Sequence, residues 1–358
     1  MRIGIVGMPN AGKSTLFNAL TQAGAETGDY PFTTVEPNLA VVPVPDDRLP
    51  RVAEIAGAEG LVHETISFAD IAGLVRGASG GEGLGNRFLA EIREADAICH
   101  VVRCHQAAGV PHPEGDVDPV RDAELVDAEL RAADLEQVQA RLERVTKQAR
   151  SGDAEAVAER EWLGEVIEAL AAGRAVRGVT VPEAAGDAPA RLQALTSKPI
   201  LYVANVEEGS DEVPPALTEH ARVASAAAVA LSAKVEAELA ELSDEAERDE
   251  LRAGLGIGEP SLERLIRAAF ELLELVTFFT DHEGVEATAR SLRRGSTAAQ
   301  AAGKVHTDFE TGFVRAEVIG WEELVEAGGY TAARERGLLR TEGRDYVVAE
   351  GDVLTIRT

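Results

Sequence analysis

Short apolar runs alternate with segments of helical periodicity along much of this chain. Ile3 to Val6 is such a run, and the residues from Ser14 to Leu20 follow it with the spacing of a helix. Two later runs, Ile98 to Arg103 and Lys198 to Ala204, are largely apolar as well. Runs of this length are typical of strands buried on both faces of a parallel sheet. The pattern therefore predicts an α/β domain.

Between residues 118 and 197 the periodicity becomes that of long amphipathic helices. Apolar residues recur at spacings of three and four on either side of a break at Ser151-Gly152-Asp153. They are Leu135, Val138, Leu142 and Val145 before the break, and Leu163, Val166, Ile167 and Leu170 after it. This predicts a helical hairpin inserted between two strands of the α/β domain. It is either an ordinary solvated helix pair or a projecting arm that contacts a partner.

From Val276 onward the sequence is rich in strand-forming residues. Strands are predicted at Phe278-Phe279, from Gly312 to Ile319 and from Tyr346 to Ile356, with a short helix after Ser296-Thr297. This order is typical of a small ubiquitin-like β-grasp fold. We therefore expect three domains, formed by residues 1–118 with 198–275, by 119–197 and by 276–358.

Composition and charge narrow the class of protein. The chain has 358 residues, 45% of them hydrophobic, which allows two or three domains with their own cores. The sequence has no apolar run of about 18 residues, so no transmembrane helix is predicted. The net charge of −27 opposes non-specific binding to nucleic acid. Cys99 and Cys104 are not expected to form a disulfide, which fits a reducing cytoplasm.

A phosphate-binding motif lies between the first strand and the first helix. The segment Gly7-Met8-Pro9-Asn10-Ala11-Gly12-Lys13-Ser14 matches the pattern G-x-x-x-x-G-K-[ST]. Glycines let the backbone curve round phosphate groups, and the helix N-terminus adds partial positive charge. Lys13 is expected to contact the β- and γ-phosphates and Ser14 to bind Mg²⁺. The α/β domain is thus predicted to be a G-domain-like P-loop NTPase domain.

Two downstream segments have the residues of a nucleotide switch. Thr34 lies in a loop after the first helix, where its hydroxyl can complete the Mg²⁺ shell once a triphosphate is bound. Asp70 ends a strand and is placed to hold a Mg²⁺-bound water, while the N–H of Gly73 meets the γ-phosphate. Leu74 stands where many GTPases have a glutamine that orients the attacking water. Another group must therefore position that water.

Asn10 offers one answer to the missing glutamine. At this point of the phosphate loop its carbonyl oxygen can bind a monovalent cation such as K⁺ between the phosphates. The alternative is that Asn10 only supports the conformation of the loop.

The base-reading segment departs from that of a guanine-specific site. Such a site usually has Asn-Lys-x-Asp, whereas this chain has Asn205-Val206-Glu207-Glu208. Discrimination between bases requires closely placed polar groups, and the extra methylene of Glu208 can spoil that fit. Guanine specificity is therefore in doubt and adenine becomes plausible. Ser232-Ala233-Lys234 is predicted to be the second loop beside the base.

Taken together, these motifs resemble the Obg-like ATPase (YchF) family. The resemblance rests on the phosphate loop, Pro31 to Asn38, Asp70 to Ser79 and Asn205 to Glu208. In the tail, Ala302 to Phe309 and Gly343-Arg344-Asp345-Tyr346 resemble the family's C-terminal TGS domain. The resemblance implies a P-loop NTPase that prefers ATP to GTP, uses Mg²⁺ and associates with ribosomes.

The resemblance also implies roles for individual residues. Ser14 and Thr34 would ligate Mg²⁺, and Val206 with its neighbours would touch the base through backbone atoms. His112 would match the family's proposed catalytic histidine, although its loop gains prolines and has His105 in place of an aromatic residue. A surface histidine without a role is the alternative. Phosphate binding would fall to Asn10, Ala11, Gly12, Lys13, Ser14 and Thr15.

Three functions remain open from the sequence. The first is a monomeric cytoplasmic ATPase with slow intrinsic turnover that binds ribosomes. The second is a nucleotide-gated binding module with negligible turnover. The third is a GTPase of Obg type.

Overall fold

The computed structural model describes residues 1–26, 38–71, 84–242, 244–282 and 284–358. The chain divides into two compact units. Unit 1 comprises Met1–Val42 and Ser67–Leu272, and unit 2 comprises Pro43–Ile66 and Leu273–Thr358.

The secondary structure follows an alternating order in unit 1 and a β-rich order in unit 2. The strands are β1 Arg2–Val6, β2 Leu39–Pro43, β3 Gly60–Val62, β4 Thr65–Asp70, β5 Ala97–Arg103, β6 Ile200–Asn205, β7 Ala227–Leu231, β8 Leu275–His282, β9 Glu286–Arg293, β10 Arg315–Gly320, β11 Arg340–Glu342 and β12 Asp352–Arg357. The helices are α1 Lys13–Glu26, α2 Arg48–Ala56, α3 Leu84–Glu94, α4 Pro119–Ala149, α5 Ala154–Ala171, α6 Ala188–Leu192, α7 Pro215–Val223, α8 Ala233–Glu241, α9 Glu245–Gly254, α10 Ser261–Leu272, α11 Ala298–Val305, α12 Thr307–Gly312, α13 Trp321–Ala327 and α14 Tyr330–Glu335.

The main sheet has the strand order β2-β4-β1-β5-β6-β7. Strands β4, β1, β5, β6 and β7 pair in parallel, with Ile5 opposite Cys99 and Arg103 opposite Asn205. Every residue of β5 and β6 is buried, as their apolar runs predict. Because the strands are parallel, their carboxyl ends lie at one edge of the sheet, where β1 leads into the phosphate loop. The predicted α/β fold class is confirmed.

Helix α4 is attached to this sheet through buried carboxylates. Asp134 is fully buried and accepts hydrogen bonds from the backbone N–H groups of Leu195 (2.7 Å) and Thr196 (2.8 Å) and from the Thr196 hydroxyl (2.6 Å). Asp127 accepts hydrogen bonds from the Tyr202 hydroxyl (2.6 Å) and from His220 Nε2 (3.1 Å). A buried carboxylate needs such partners, so α4 has a fixed position on the sheet.

Helices α4 and α5 form the predicted hairpin. Asp118 caps α4, accepting hydrogen bonds from the N–H groups of Val120 and Arg121, and Asp153 caps α5 at the N–H of Glu155. The eight apolar residues predicted to face one another all lie in one cluster, which Trp162 joins. Glu159 is also buried there, paired with Arg141 and Arg191.

Unit 2 has its own mixed sheet, with the order β11-β10-β12-β8-β9-β3. Strands β8 and β9 form an antiparallel hairpin, β10 pairs antiparallel with β11 and β12, and β12 runs parallel to β8. Helix α11 begins with a capping box between Thr297 and Gln300 and packs on the sheet through its alanines. The expected β-rich C-terminal domain is therefore present, with β3 added to its sheet.

The two units differ from the predicted domain division in two places. Residues 119–197 cluster with the nucleotide domain, and Pro43–Ile66 clusters with the C-terminal residues. The second difference arises because β3 pairs in parallel with β9 and because Leu49 and Val52 of α2 lie in one core with Phe279. These are long-range contacts that a local reading of the sequence does not reveal.

Smaller predictions can also be compared with the structure. Cys99 and Cys104 are free thiols, as expected. The predicted loop Ser232-Ala233-Lys234 follows β7, which begins at Ala227, four residues after Val223 ends α7. None of the helices in the described ranges is both long enough and apolar enough to span a membrane.

Candidate active site

The phosphate loop has a backbone that side chains would disturb. Gly7 has φ of 151° and Gly12 has φ of 103°. A Cβ atom at Gly7 would lie 2.3 Å from the carbonyl oxygen of Val101, and one at Gly12 would lie 2.3 Å from Asn205 Nδ2. Asn10 also has positive φ, at 62°, a conformation that asparagine tolerates better than most residues. The loop therefore requires glycine at both positions.

Lys13 is held inside the curve of the loop. Its side chain is buried, and its Nζ donates hydrogen bonds to the carbonyl oxygens of Gly7 (3.0 Å) and Met8 (2.9 Å). Burial lowers the pKa of Lys13, and the nearby carboxylate of Asp70 opposes that shift. A desolvated ammonium held by two carbonyls can exchange them for phosphate oxygens, which bind it more strongly.

Ser14 and Asp70 meet beside the lysine. The Ser14 hydroxyl lies 3.5 Å from Asp70 Oδ2, at the long limit of a hydrogen bond. Burial raises the pKa of Asp70, whereas Lys13 and Ser14 act to lower it. A hydroxyl and a carboxylate side by side are oxygen donors of the type that Mg²⁺ prefers. Two of the three predicted metal ligands, Ser14 and Asp70, are therefore adjacent.

Asn205 connects the phosphate loop with the second loop beside the base. Its Nδ2 donates a hydrogen bond to the carbonyl oxygen of Ala11 (2.9 Å), and its Oδ1 accepts one from the N–H of Ala233 (3.0 Å). Asn205 is buried at the end of β6. Both polar ends of the amide are therefore used within the protein, and Asn205 holds the two loops together.

The other predicted base contacts fall into two groups. Val206 is buried in the core, and its N–H donates to the carbonyl oxygen of Leu231 (2.9 Å). Glu208 forms an exposed ion pair with Lys234, which also lies 3.6 Å from Glu238. Ser232 caps α8 at the N–H of Val235. Glu208 and Lys234 are therefore the exposed side chains of this group.

Asn10 joins the phosphate loop to the loop that follows β5. Its Nδ2 donates a hydrogen bond to the carbonyl oxygen of Pro111 (3.1 Å). Arg103, buried at the end of β5, donates to the carbonyl oxygens of His105 (3.1 Å) and Val110 (3.4 Å). The loop is thus fixed from two sides, next to the phosphate-binding motif.

His112 follows Pro111 in this loop but is turned inward. Its Nε2 lies 2.8 Å from Asp122 Oδ2, and its Nδ1 accepts a hydrogen bond from the N–H of Glu114 (3.1 Å). Only 5% of its side chain is exposed. The structure therefore places His112 beside the site but leaves neither ring nitrogen available to a substrate.

Some predicted residues lie outside the ranges that the structure describes. Thr34, Gly73 and Leu74 are among them, so the switch segments remain predictions. Lys13, Ser14 and Thr15 begin α1, Ala11 lies two residues before it, and Thr15 is exposed.

Two contributors to this region were missed from the sequence. Arg103 was read as the last residue of a strand, and Asp122 as one acidic residue of a charged helix. A cavity of about 330 Å³ beside Asp127 is also lined by Glu124, Arg131 and His220 and by none of the predicted site residues. No local motif marks any of them.

These features place the protein in the P-loop NTPase class. They are a parallel sheet, a glycine-containing loop between a strand and a helix, a buried lysine, and a serine next to an aspartate. A family model described as 50S ribosome-binding GTPase (MMR_HSR1) matches residues 2–144. The YchF-GTPase_C model, described as protein of unknown function (DUF933), matches residues 275–358.

Comparison with complete proteins identifies the family. The chain is 46% identical to the ribosome-binding ATPase YchF of Bacillus subtilis and 47% identical to that of Escherichia coli O157:H7, over 99% of this chain and 98% of each relative. The solved structure of the Schizosaccharomyces pombe YchF GTPase has a TM-score of 0.88 and 32% identity, covering 100% of this chain and 97% of that one. This chain belongs to the YchF family, which confirms the resemblance drawn from its motifs.

Proposed function

We propose that this protein is a cytoplasmic, monomeric ATPase that binds ribosomes in a manner set by its bound nucleotide. The observation that carries the nucleotide part is the phosphate loop with Lys13 buried at its centre. The names of its bacterial relatives, ribosome-binding ATPases, support both parts.

Mg²⁺ is the proposed metal. Ser14 and Asp70 would hold it directly or through water, and Thr34 would complete the shell when a triphosphate is bound. The ion would offset negative charge on the phosphates. It would also favour the ionised form of Asp70, whose pKa burial raises.

ATP is proposed as the preferred nucleotide because the guanine-reading residues are altered. Glu208 replaces the expected aspartate, and its carboxylate is already paired with Lys234. Val206 replaces the lysine that would cover the base, and its side chain is buried in the core. Without a correctly placed carboxylate, the site has no acceptor for the N1 and N2 donors of guanine, so it gains no affinity from them.

Slow intrinsic turnover is proposed because Leu74 cannot orient water. His112 is the candidate for that task, once it leaves its present partners. Asn10 is the candidate for holding K⁺, because its Nδ2 is bound to Pro111 and its Oδ1 is the remaining polar atom of the side chain.

A GTPase is the second candidate, since the related structure from Schizosaccharomyces pombe carries that name. Equilibrium competition between ATP and GTP for the purified protein separates the two. We expect ATP to bind more tightly. GTP binding tighter by tenfold, about 1.4 kcal/mol, contradicts the proposal.

A pair of variants sharpens this competition. Glu208→Asp should raise GTP affinity, while Glu207→Asp, the same change at the neighbouring exposed residue, should leave the preference unchanged. Equal effects of both variants would show that position 208 does not read the base.

A further inference from the structure

Both nitrogens of His112 are engaged within the protein. Nδ1 accepts a hydrogen bond from the N–H of Glu114 (3.1 Å), so the proton of the neutral ring lies on Nε2, which donates to Asp122 Oδ2 (2.8 Å). The side chains of His112 and Asp122 are 5% and 3% exposed. An imidazole held in this way cannot accept a proton from a water molecule or hydrogen-bond a phosphate.

Asp122 can lose His112 without becoming an unpaired charge. Its other oxygen, Oδ1, accepts hydrogen bonds from Arg121 Nε (3.2 Å) and from the second guanidinium nitrogen (3.1 Å). Arg121 is itself held by the side chain of Asp116 (2.7 Å). Because the ion pair remains when the imidazole leaves, the bond to His112 can break and re-form.

The same loop is in contact with the phosphate-binding motif. Asn10 Nδ2 donates to the carbonyl oxygen of Pro111, the residue directly before His112. Arg103 holds the carbonyl oxygens of His105 and Val110 in the same loop. A nucleotide that engages Asn10 therefore acts on the backbone one residue away from the imidazole.

We propose that Asp122 is a positioning residue that holds His112 in a withdrawn position, and that triphosphate binding at the phosphate loop releases it. This inference rests on the proposed role of His112 in hydrolysis. It adds a residue of α4 to the reaction and gives the slow turnover a second cause besides Leu74. It also links the nucleotide site to the first turn of the helical hairpin.

Hydrolysis by an Asp122→Ala variant is the first test. Removal of the acceptor should raise kcat for ATP on the order of tenfold, with little change in KM. A change of this size in kcat corresponds to the free energy of one hydrogen bond to a charged group. Asp122→Asn keeps an oxygen acceptor and should give a smaller increase of the same sign. The increase should vanish in the Asp122→Ala/His112→Ala double variant, which a purely structural role of Asp122 would not require.

Asp116→Ala is the matched control. Asp116 is the other carboxylate partner of Arg121, is 76% exposed and makes no hydrogen bond to His112 in the described structure. Its loss should leave kcat unchanged. A decrease of kcat in both Asp122 variants, or equal effects of the Asp122 and Asp116 variants, overturns the proposal.

The reactivity of His112 toward diethylpyrocarbonate gives a readout independent of hydrolysis. Peptide mass spectrometry should show slow modification of His112 in the wild-type protein, faster modification with a non-hydrolysable ATP analogue, and fast modification of Asp122→Ala without nucleotide. His306, whose side chain is 58% exposed, is the internal reference. Equal reactivity of His112 in all three samples overturns the proposal.

The two experiments separate this inference from the proposed function. If Asp122→Ala makes His112 reactive while His112→Ala hydrolyses ATP at the wild-type rate, the positioning role holds and the catalytic role of His112 fails. If His112→Ala is inactive but His112 reacts equally in the wild-type protein and in Asp122→Ala, the catalytic role of His112 holds and the positioning role of Asp122 fails.

Discussion

At the scale of single residues, charged and polar side chains at the phosphate loop serve two purposes. Lys13 closes the loop through two carbonyl oxygens, and Asn205 bridges Ala11 and Ala233. Lys13 is also predicted to bind phosphates, and Asn205 is predicted to lie beside the base. Ligand binding is therefore expected to exchange internal hydrogen bonds for external ones, which lowers the net gain per contact.

Asn10 provides a test of monovalent-cation dependence. ATP hydrolysis should be faster in K⁺ than in Na⁺ at equal ionic strength, because Asn10 Oδ1 can share a cation with the phosphates. Asn10→Ala should abolish the difference. Steady-state rates in the two salts measure it, and identical wild-type rates would remove Asn10 from the mechanism.

The buried imidazole of His100 is expected to make the free energy of unfolding depend on pH. Burial lowers its pKa from 6.5 to about 4, with Asp127 opposing the shift. Between these values the unfolded chain binds a proton that the folded protein does not, so the free energy of unfolding falls as the pH drops from about 6.5 to about 4. The loss is expected to reach about 2–3 kcal/mol.

His100→Phe should flatten that dependence, because phenylalanine keeps a ring against Tyr202 but cannot titrate. Urea unfolding of both proteins at several pH values measures the slope. His306→Phe, at an exposed position of unit 2, should retain the wild-type slope. Parallel curves for wild type and His100→Phe would show that His100 is not the group responsible.

At the scale of elements, three buried carboxylates along α4 join this helix to the rest of unit 1. Its first turn contacts His112 through Asp122, its middle contacts β6 through Asp127, and Asp134 binds the chain that leads into β6. Beyond that point it pairs with α5 in the hairpin. The helix that forms half of the hairpin is therefore also hydrogen-bonded to His112, beside the phosphate loop.

Asp134→Ala should destabilise the protein by about 2–4 kcal/mol, because three buried donors lose their acceptor. Chemical denaturation measures the change. Glu136→Ala is the control, since Glu136 is exposed on the same helix and its loss should cost less than about 0.5 kcal/mol. A similar loss in both variants would mean that helix propensity, not the buried hydrogen bonds, decides the result.

At the scale of the whole molecule, the division into units affects how function is tested. Residues 43–66 share a core and a sheet with the C-terminal residues. A deletion of 276–358 would expose Leu49 and Val52, so loss of ribosome binding in such a deletion would not identify an interface. Charge reversal at exposed arginines is the cleaner test.

Arg293 and Arg294 are exposed where β9 ends and are candidate contacts to RNA phosphates. Co-sedimentation with ribosomes should be stronger with a non-hydrolysable ATP analogue than with ADP. Reversing both arginines to glutamate should lower the salt slope by about two units, one per phosphate contact. Arg336→Glu, a single charge reversal at an exposed position in the same unit, should leave the salt slope unchanged. Binding that is the same with both nucleotides and in all of these variants would contradict the proposal.

The sequence by itself determined the class of this protein. The phosphate loop needs glycine at Gly7 and Gly12, where a Cβ atom would clash, and lysine where phosphates are predicted to bind. The motif and its chemistry therefore lie within one short segment of the chain. The buried strands and the hairpin periodicity are local as well, because period and apolar content are set by neighbours along the chain. The base-reading departure at Glu208 was readable for the same reason.

Only the tertiary structure decided how distant residues meet. Asn205 is far along the chain from Ala11, and Pro111 is far from Asn10, yet each pair forms a hydrogen bond. The inward position of His112 depends on a helix that starts after it, and the placement of residues 43–66 depends on β9. Such contacts depend on how whole helices and strands pack together. The composition of one segment does not indicate which distant segment it will contact.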